Sequence, residues 1–317
     1  MTEPRAEETP GSQSHPAPTR RGVHSRLMQL GEVHDNGFRL ERTLPVRVEF
    51  VRQLRRRRTQ LTGLVILALP VIIALAFLVS SDDGSGGGAR EGGRRAALVD
   101  LATTGATNFA LFTEFASAGF LLVVMVALFC GDTVASEASW GSLRYLLAIP
   151  VPRPRLLRQK LVVALSLSFG VNLLLPAWSY LVGGMFFGWA PGQSPLGGTF
   201  TTSAALQRLL IVICYASIQS LVVAALAFLL SVLTDAPLGA VAGATMLVVV
   251  SNILDSITTL DPYRRFLPTH FQYSWLDSLG QDVVWDDMLR GTGLVLVYSA
   301  VFFALAWWRF QEKDILS

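Results

Sequence analysis

Long apolar runs separated by short charged stretches set the pattern of this chain. Residues 61–80 contain no charged side chain, and comparable runs lie at about 109–130, 161–187, 204–233, 237–254 and 291–308. Each reaches or approaches the ~20 residues that a helix needs to cross ~30 Å of hydrocarbon, which predicts six transmembrane helices. The fourth run, as a straight helix, would be about 45 Å long and has to tilt or protrude. Pro70 and Pro176 fall inside the first and third runs, where neighbouring helices can absorb a kink.

Polar stretches frame these runs. Residues 1–43 are rich in Pro, Ser, Thr, Arg and Glu and cannot bury enough apolar surface to order themselves, so a flexible tail is expected there. They lack the apolar core of a secretory signal, no Gly follows Met1 for myristoylation, and no prenylation box closes the sequence. Anchoring is therefore expected from the spans. Val46, Phe50 and Leu54 are four apart and share one helical face, with Arg47, Arg52 and Arg55 mostly off it. That pattern fits a helix lying in the membrane interface, its arginines reaching anionic lipid headgroups. A stop-transfer charge cluster before the first span gives the same pattern. Residues 81–108 form a Gly-rich loop, and residues 255–289 an acidic one with Trp275 and Trp285. Apolar runs in the second loop are too short to span, so it holds interfacial or re-entrant helices or is a plain loop.

Composition agrees with a membrane protein. Of 317 residues 51% are hydrophobic and 15% charged, with a net charge of +3 and a mean hydropathy of +0.47. Ordinary soluble domains carry about 25% charged residues, so a soluble enzyme, a disordered protein and a nucleic-acid binder are all disfavoured. Cys130 and Cys214 lie in apolar runs and read as small buried hydrophobes, and His15, His24, His34 and His270 are not spaced for a zinc site. The placement of the 26 basic residues orients the chain. Nineteen of them lie in residues 1–60, the 131–160 loop and the C-terminal tail. By the positive-inside rule that side faces the cytoplasm, with both termini on it. Twenty-four of the 26 are Arg, a bias of GC-rich bacterial genomes, which points to a bacterial cytoplasmic (inner) membrane.

Ionisable groups are nearly missing from the runs. Glu114 and Arg208 stand near the outer ends, where they are expected to snorkel. Proton-coupled transporters place such groups at membrane depth, so this pattern speaks against proton coupling, and less strongly against sodium coupling. Lys160 and Lys313 have no phosphate-binding glycines before them, and no protease, hydrolase or dinucleotide motif occurs. Energy for any uphill movement is therefore expected from another chain. Gly184-x-x-x-Gly188 and Gly239-x-x-x-Gly243 permit close helix approach.

The loop between the second and third runs carries most information. Trp140, Leu143 and Leu147 lie on one stripe of a short helix, stopped by Pro150, Pro152 and Pro154. Such a helix either docks into a groove on a partner or rests on lipid. Its sequence, Glu137-x-x-x-Gly141-Ser142-Leu143-Arg144 followed by Leu146-Leu147-Ala148-Ile149-Pro150-Val151-Pro152-Arg153 and Leu157-x-x-Lys160, resembles the signature of type-2 ABC transporter permeases, the membrane subunits of ATP-binding-cassette exporters. Ser142 stands where the family usually has threonine, and keeps the hydroxyl. The charged stretch Arg309–Ile315 resembles the family's C-terminal tail, and the arginine-rich 47–58 its N-terminal interfacial helix. The resemblance covers residues 44–317.

It implies an all-α polytopic half-transporter of six transmembrane helices, with an N-terminal interfacial helix and a cytoplasmic coupling helix. Two separate ATPase subunits and a second permease, identical or related, are the implied partners. ATP and Mg would bind the ATPase, with no cofactor or catalytic residue in this chain. The coupling helix would comprise Glu137, Trp140, Gly141, Ser142, Leu143, Arg144 and Leu147. Trp140, Leu143 and Leu147 would be anchors. Glu137 and Arg144 would contact the ATPase or each other. The interfacial helix would be Arg47, Phe50, Arg52, Leu54 and Arg55, and 255–289 would match the re-entrant outer helices. The charge-poor runs suit a hydrophobic or amphipathic substrate, drug or lipid-like. Ion or sugar transport on the same scaffold, a lipid-modifying membrane enzyme and a non-transporting scaffold are the competing expectations.

Overall fold

The computed structural model describes residues 46–82, 98–139, 153–195 and 197–312. Their apolar runs form helices α1 (Val46–Leu54), α2 (Arg57–Asp82), α3 (Ala106–Ala118), α4 (Leu121–Ser139), α5 (Arg153–Phe187), α6 (Thr202–Leu233), α7 (Pro237–Ser256) and α8 (Asp286–Glu312). Extended pairing among the described residues is limited to one bridge between Gln193 and Thr199. Six helices, α2 and α4 to α8, are long and apolar enough to cross a membrane, as in a multi-pass membrane protein. The expected tail, residues 1–43, lies outside the described residues, as do 140–152 with Trp140, Gly141, Ser142, Leu143, Arg144 and Leu147.

Helix α6 is the hub and packs on α4, α5, α7 and α8. Between these helices lie Val126, Cys130 and Val134 of α4, Ala227, Phe228 and Val232 of α6, Val248 of α7, and Val295 and Phe310 of α8. In lipid, close packing rather than release of water holds helices together, so small residues matter at the seams. At Gly131 of α4 a Cβ would come within 3.2 Å of the Val241 backbone nitrogen on α7, so the close approach of the two helices depends on glycine. Helix α2 lies outside, its Ile66 against Leu122, Phe129 and Val163. Trp178 of α5 donates its indole N–H to the Leu67 carbonyl of α2 at 2.9 Å. Leu61, Leu64 and Ile72 of α2, Leu238 and Met246 of α7, and Val297 and Val301 of α8 are exposed, as lipid-facing positions are.

Local chemistry sets the helix ends. Pro237 occupies the first turn of α7, where its missing N–H costs nothing. Gly188 follows α5 with φ +84°, the left-handed conformation that commonly ends a helix. Gly184 and Gly188 therefore serve a chain reversal, in which Trp189 folds back over Gly184. Both Pro70 and Pro176 sit inside unbroken helices.

Three sequence expectations are corrected. The second run is not one helix from 109 to 130: it breaks at Gly119–Phe120 into α3 and α4. The Ala118 carbonyl at the break accepts a hydrogen bond from Gln272 Nε2 at 2.7 Å, and a Cβ on Gly119 would lie 2.9 Å from the Tyr273 hydroxyl. A polar side chain inserted at the ladder is what divides the helix. Cys214 is exposed rather than buried. Finally, Glu114 and Arg208 do not snorkel. Glu114 is 0% and Arg208 9% exposed.

Residues 257–285 explain why. They form three 3-10 turns, Thr258–Leu260, Tyr263–Phe266 and Ser274–Leu279, rather than α-helices. Trp275, Leu276 and Leu279 pack into a core cluster with Leu111 of α3 and Leu209 and Val212 of α6. Arg208 donates to the carbonyls of Ser278 and Gln281 and stacks over Phe200, 4.2 Å from the ring centroid. The segment caps α3 and α6, and so encloses both charged groups.

Candidate functional site

Two polar sites lie inside the bundle, at opposite ends of α4. The first gathers around the roots of residues 140–152. Glu137 lies just before the end of α4, and Lys160 lies two turns into α5. Lys160 Nζ donates to Glu137 Oε1 at 2.5 Å and lies 3.9 Å from Glu49. Arg52 of α1 donates to Glu137 at 2.9 Å and to Glu49 at 2.8 Å. Beside this cluster, Asp132 accepts from Arg56 at 3.1 Å and from Arg58 at 2.5 Å. Lys160 and Glu137 are each 4% exposed. Burial on its own would raise the Glu49 carboxyl, but the Lys160 ammonium and the Arg52 guanidinium outweigh it and hold the group below its ordinary range.

The charges clasp the two helices from which residues 140–152 emerge, and tie α1 across them. A cleft of about 590 Å³ opens beside the clasp, lined by Arg52, Arg56, Arg57, Arg58, Asp132 and Glu137. Glu137, expected to touch a partner or Arg144, is thus placed in the interior with two cations. Of the proposed interfacial residues, Phe50 packs near Ile66 and Leu122 while Leu54, Arg47 and Arg55 are exposed. Arg52 is also half exposed, but its guanidinium reaches the Glu49 and Glu137 carboxylates. Sequence spacing could not pair residues 85 positions apart, though a lone lysine opening an apolar run was a usable signal.

The second site is a cavity of about 40 Å³ between α3, α4, α5, α6 and the 257–285 cap. Glu114, Asn172, Gln219, Ser220, Thr269 and Gln272 line it together with Val126, Val223, Val248 and Trp275. Asn172 Nδ2 donates to the Ser168 carbonyl at 2.9 Å and to Ser220 Oγ at 3.3 Å. That volume is enough for two or three waters, each of which needs about 10–15 Å³. An ionisable group buried inside the bundle also removes the premise on which proton coupling is disfavoured. The missed signal was the mid-run amides Asn172 and Gln219, since buried amides in a span rarely lack a purpose.

Residues 99–316 match the family described as a protein of unknown function (DUF2705), and the chain belongs to that family. No curated protein matches it.

Proposed function

We propose that this family member is the permease subunit of an ATP-driven ABC exporter, working with two separate ATPase subunits and a second permease. The observation that carries the reading is the clasp in which buried Glu137 and Lys160 pair and the half-exposed Arg52 reaches the same carboxylate. It sits at the roots of the stretch whose sequence resembles the permease coupling helix. A coupling element has to pass a push from a partner into the membrane without yielding at its base. Ion pairs bridging α4, α5 and α1 make such a base, because separating two buried charges costs several kcal/mol. Trp140, Leu143 and Leu147 then serve as the anchors that enter the ATPase, with Gly141, Ser142 and Arg144 around them. Glu137 holds the root of the element rather than the partner.

Helix α1 supports the same reading. It buries no residue, and its exposed Val46, Val48, Val51 and Leu54 lie beside the exposed Arg47 and Arg55, a composition that suits the surface of an anionic bilayer. The clasp end then faces the cytoplasm, and the 257–285 cap faces outward. A hydrophobic or amphipathic substrate suits the charge-poor helices.

Co-expression with genomic neighbours followed by purification tests the proposal. A Walker-motif ATPase should copurify with the intact chain and be lost from Trp140→Asp/Leu143→Asp, with membrane insertion unchanged. Absence of any ATPase from the intact preparation, or its retention by the double variant, would overturn the coupling assignment.

A further inference from the structure

Neither carboxyl oxygen of Glu114 meets a hydrogen-bond partner among the described residues, although the side chain is fully enclosed. Ser117 Oγ and Gln219 Nε2 are likewise buried without partners among these residues. Glu114 and Gln219 open onto the same cavity, and its lining holds no lysine, arginine or histidine. A carboxylate so placed is costly to keep unless something compensates it.

The rest of the lining says what that something is. Asn172 and Gln272 spend amide hydrogens on the Ser168 and Ala118 carbonyls, which leaves their amide oxygens as acceptors. Ser220 donates its hydroxyl to the Ser217 carbonyl. The site therefore sets several acceptors and one amide donor, Gln219 Nε2, around a carboxyl group that a cation would hold ionised. Leu122, Val123, Val126, Val223 and Val248 supply an apolar wall, and the buried Trp275 an aromatic one. An ionised Glu114 would repel an anion, a neutral apolar molecule would leave it unpaired, and water would pair the carboxyl without balancing its charge. An ammonium group carrying one or two carbons fits the room of two or three waters, satisfies the carboxylate and is attracted to the aromatic wall, while its short hydrocarbon lies against the valines.

We propose that this cavity binds a small alkylammonium ion, its ammonium paired with Glu114 and walled by Trp275. The site stands on the geometry of the chain alone. That the amine is transported rests on the permease reading.

The test uses the full chain in neutral phosphatidylcholine nanodiscs, without any ATPase. Equilibrium dialysis at neutral pH measures radiolabelled methylammonium and its uncharged counterpart methanol, with empty discs subtracted. The amine should bind saturably at one site per chain and the alcohol should not. Glu114→Gln keeps the shape of the side chain and should weaken amine binding at least tenfold. No saturable amine binding, equal binding of amine and alcohol, or an unchanged Glu114→Gln variant would each overturn the proposal. The amine–alcohol comparison decides even if the variant fails to fold. Loss of this site would leave the copurification result intact, and loss of the ATPase would leave this binding intact.

Discussion

Lys160 is held by carboxylates from two directions, Glu137 on its neighbour α4 and Glu49 on α1. Removing the ammonium leaves a buried carboxylate with one cation fewer, and the cost of breaking such a pair is large. Lys160→Met should therefore lose roughly 3 kcal/mol, the low end of the usual range because Arg52 stays beside Glu137. Adding Glu137→Leu should recover most of that loss, since two apolar side chains replace a buried pair at little net cost. Unfolding in mixed micelles, followed for both single variants and the double, measures the coupling. Additive losses would mean that the two charges act separately.

Helices were the legible level. Five of the six apolar runs became single helices and the second became α3 and α4, while the two prolines left α2 and α5 unbroken. The break that does occur, at Gly119–Phe120, had no proline to announce it. It depends on Gln272 and Tyr273, residues more than 150 positions later, and local pattern carries no trace of such a partner. The depth of Glu114 was illegible for the same reason. Helix α8 shows how finely these elements fit. A Cβ on Gly291 would lie 2.5 Å from Phe271 Cβ and 2.6 Å from the Tyr215 hydroxyl, whereas Gly293 has open space around it. Gly291→Ala should cost roughly 1–3 kcal/mol through overpacking. Gly293→Ala should be neutral or stabilise by up to about 1 kcal/mol through helix propensity. Melting temperatures of the two variants give the comparison, and an equal response would remove the packing account of Gly291.

For the whole molecule, orientation is the property that the bundle itself does not declare and the basic residues do. If the 19 basic residues of 1–60, 131–160 and the C-terminal tail mark the cytoplasmic side, a fluorescent protein fused after Ser317 should fold and fluoresce in the cytoplasm. Alkaline phosphatase inserted at residue 90 should be active outside. The reverse pair of signals would invert the bundle and remove the clasp from the reach of an ATPase. Helix α3 has a consequence for how such a chain is made. At 13 residues it is too short to cross a bilayer, and it is buried on nearly every side. What shields its glutamate comes from α5, α6 and the 257–285 cap, all synthesised later. Hydropathy alone cannot deliver this piece to its final depth during translation. The cavity is therefore complete only once these later segments have been made.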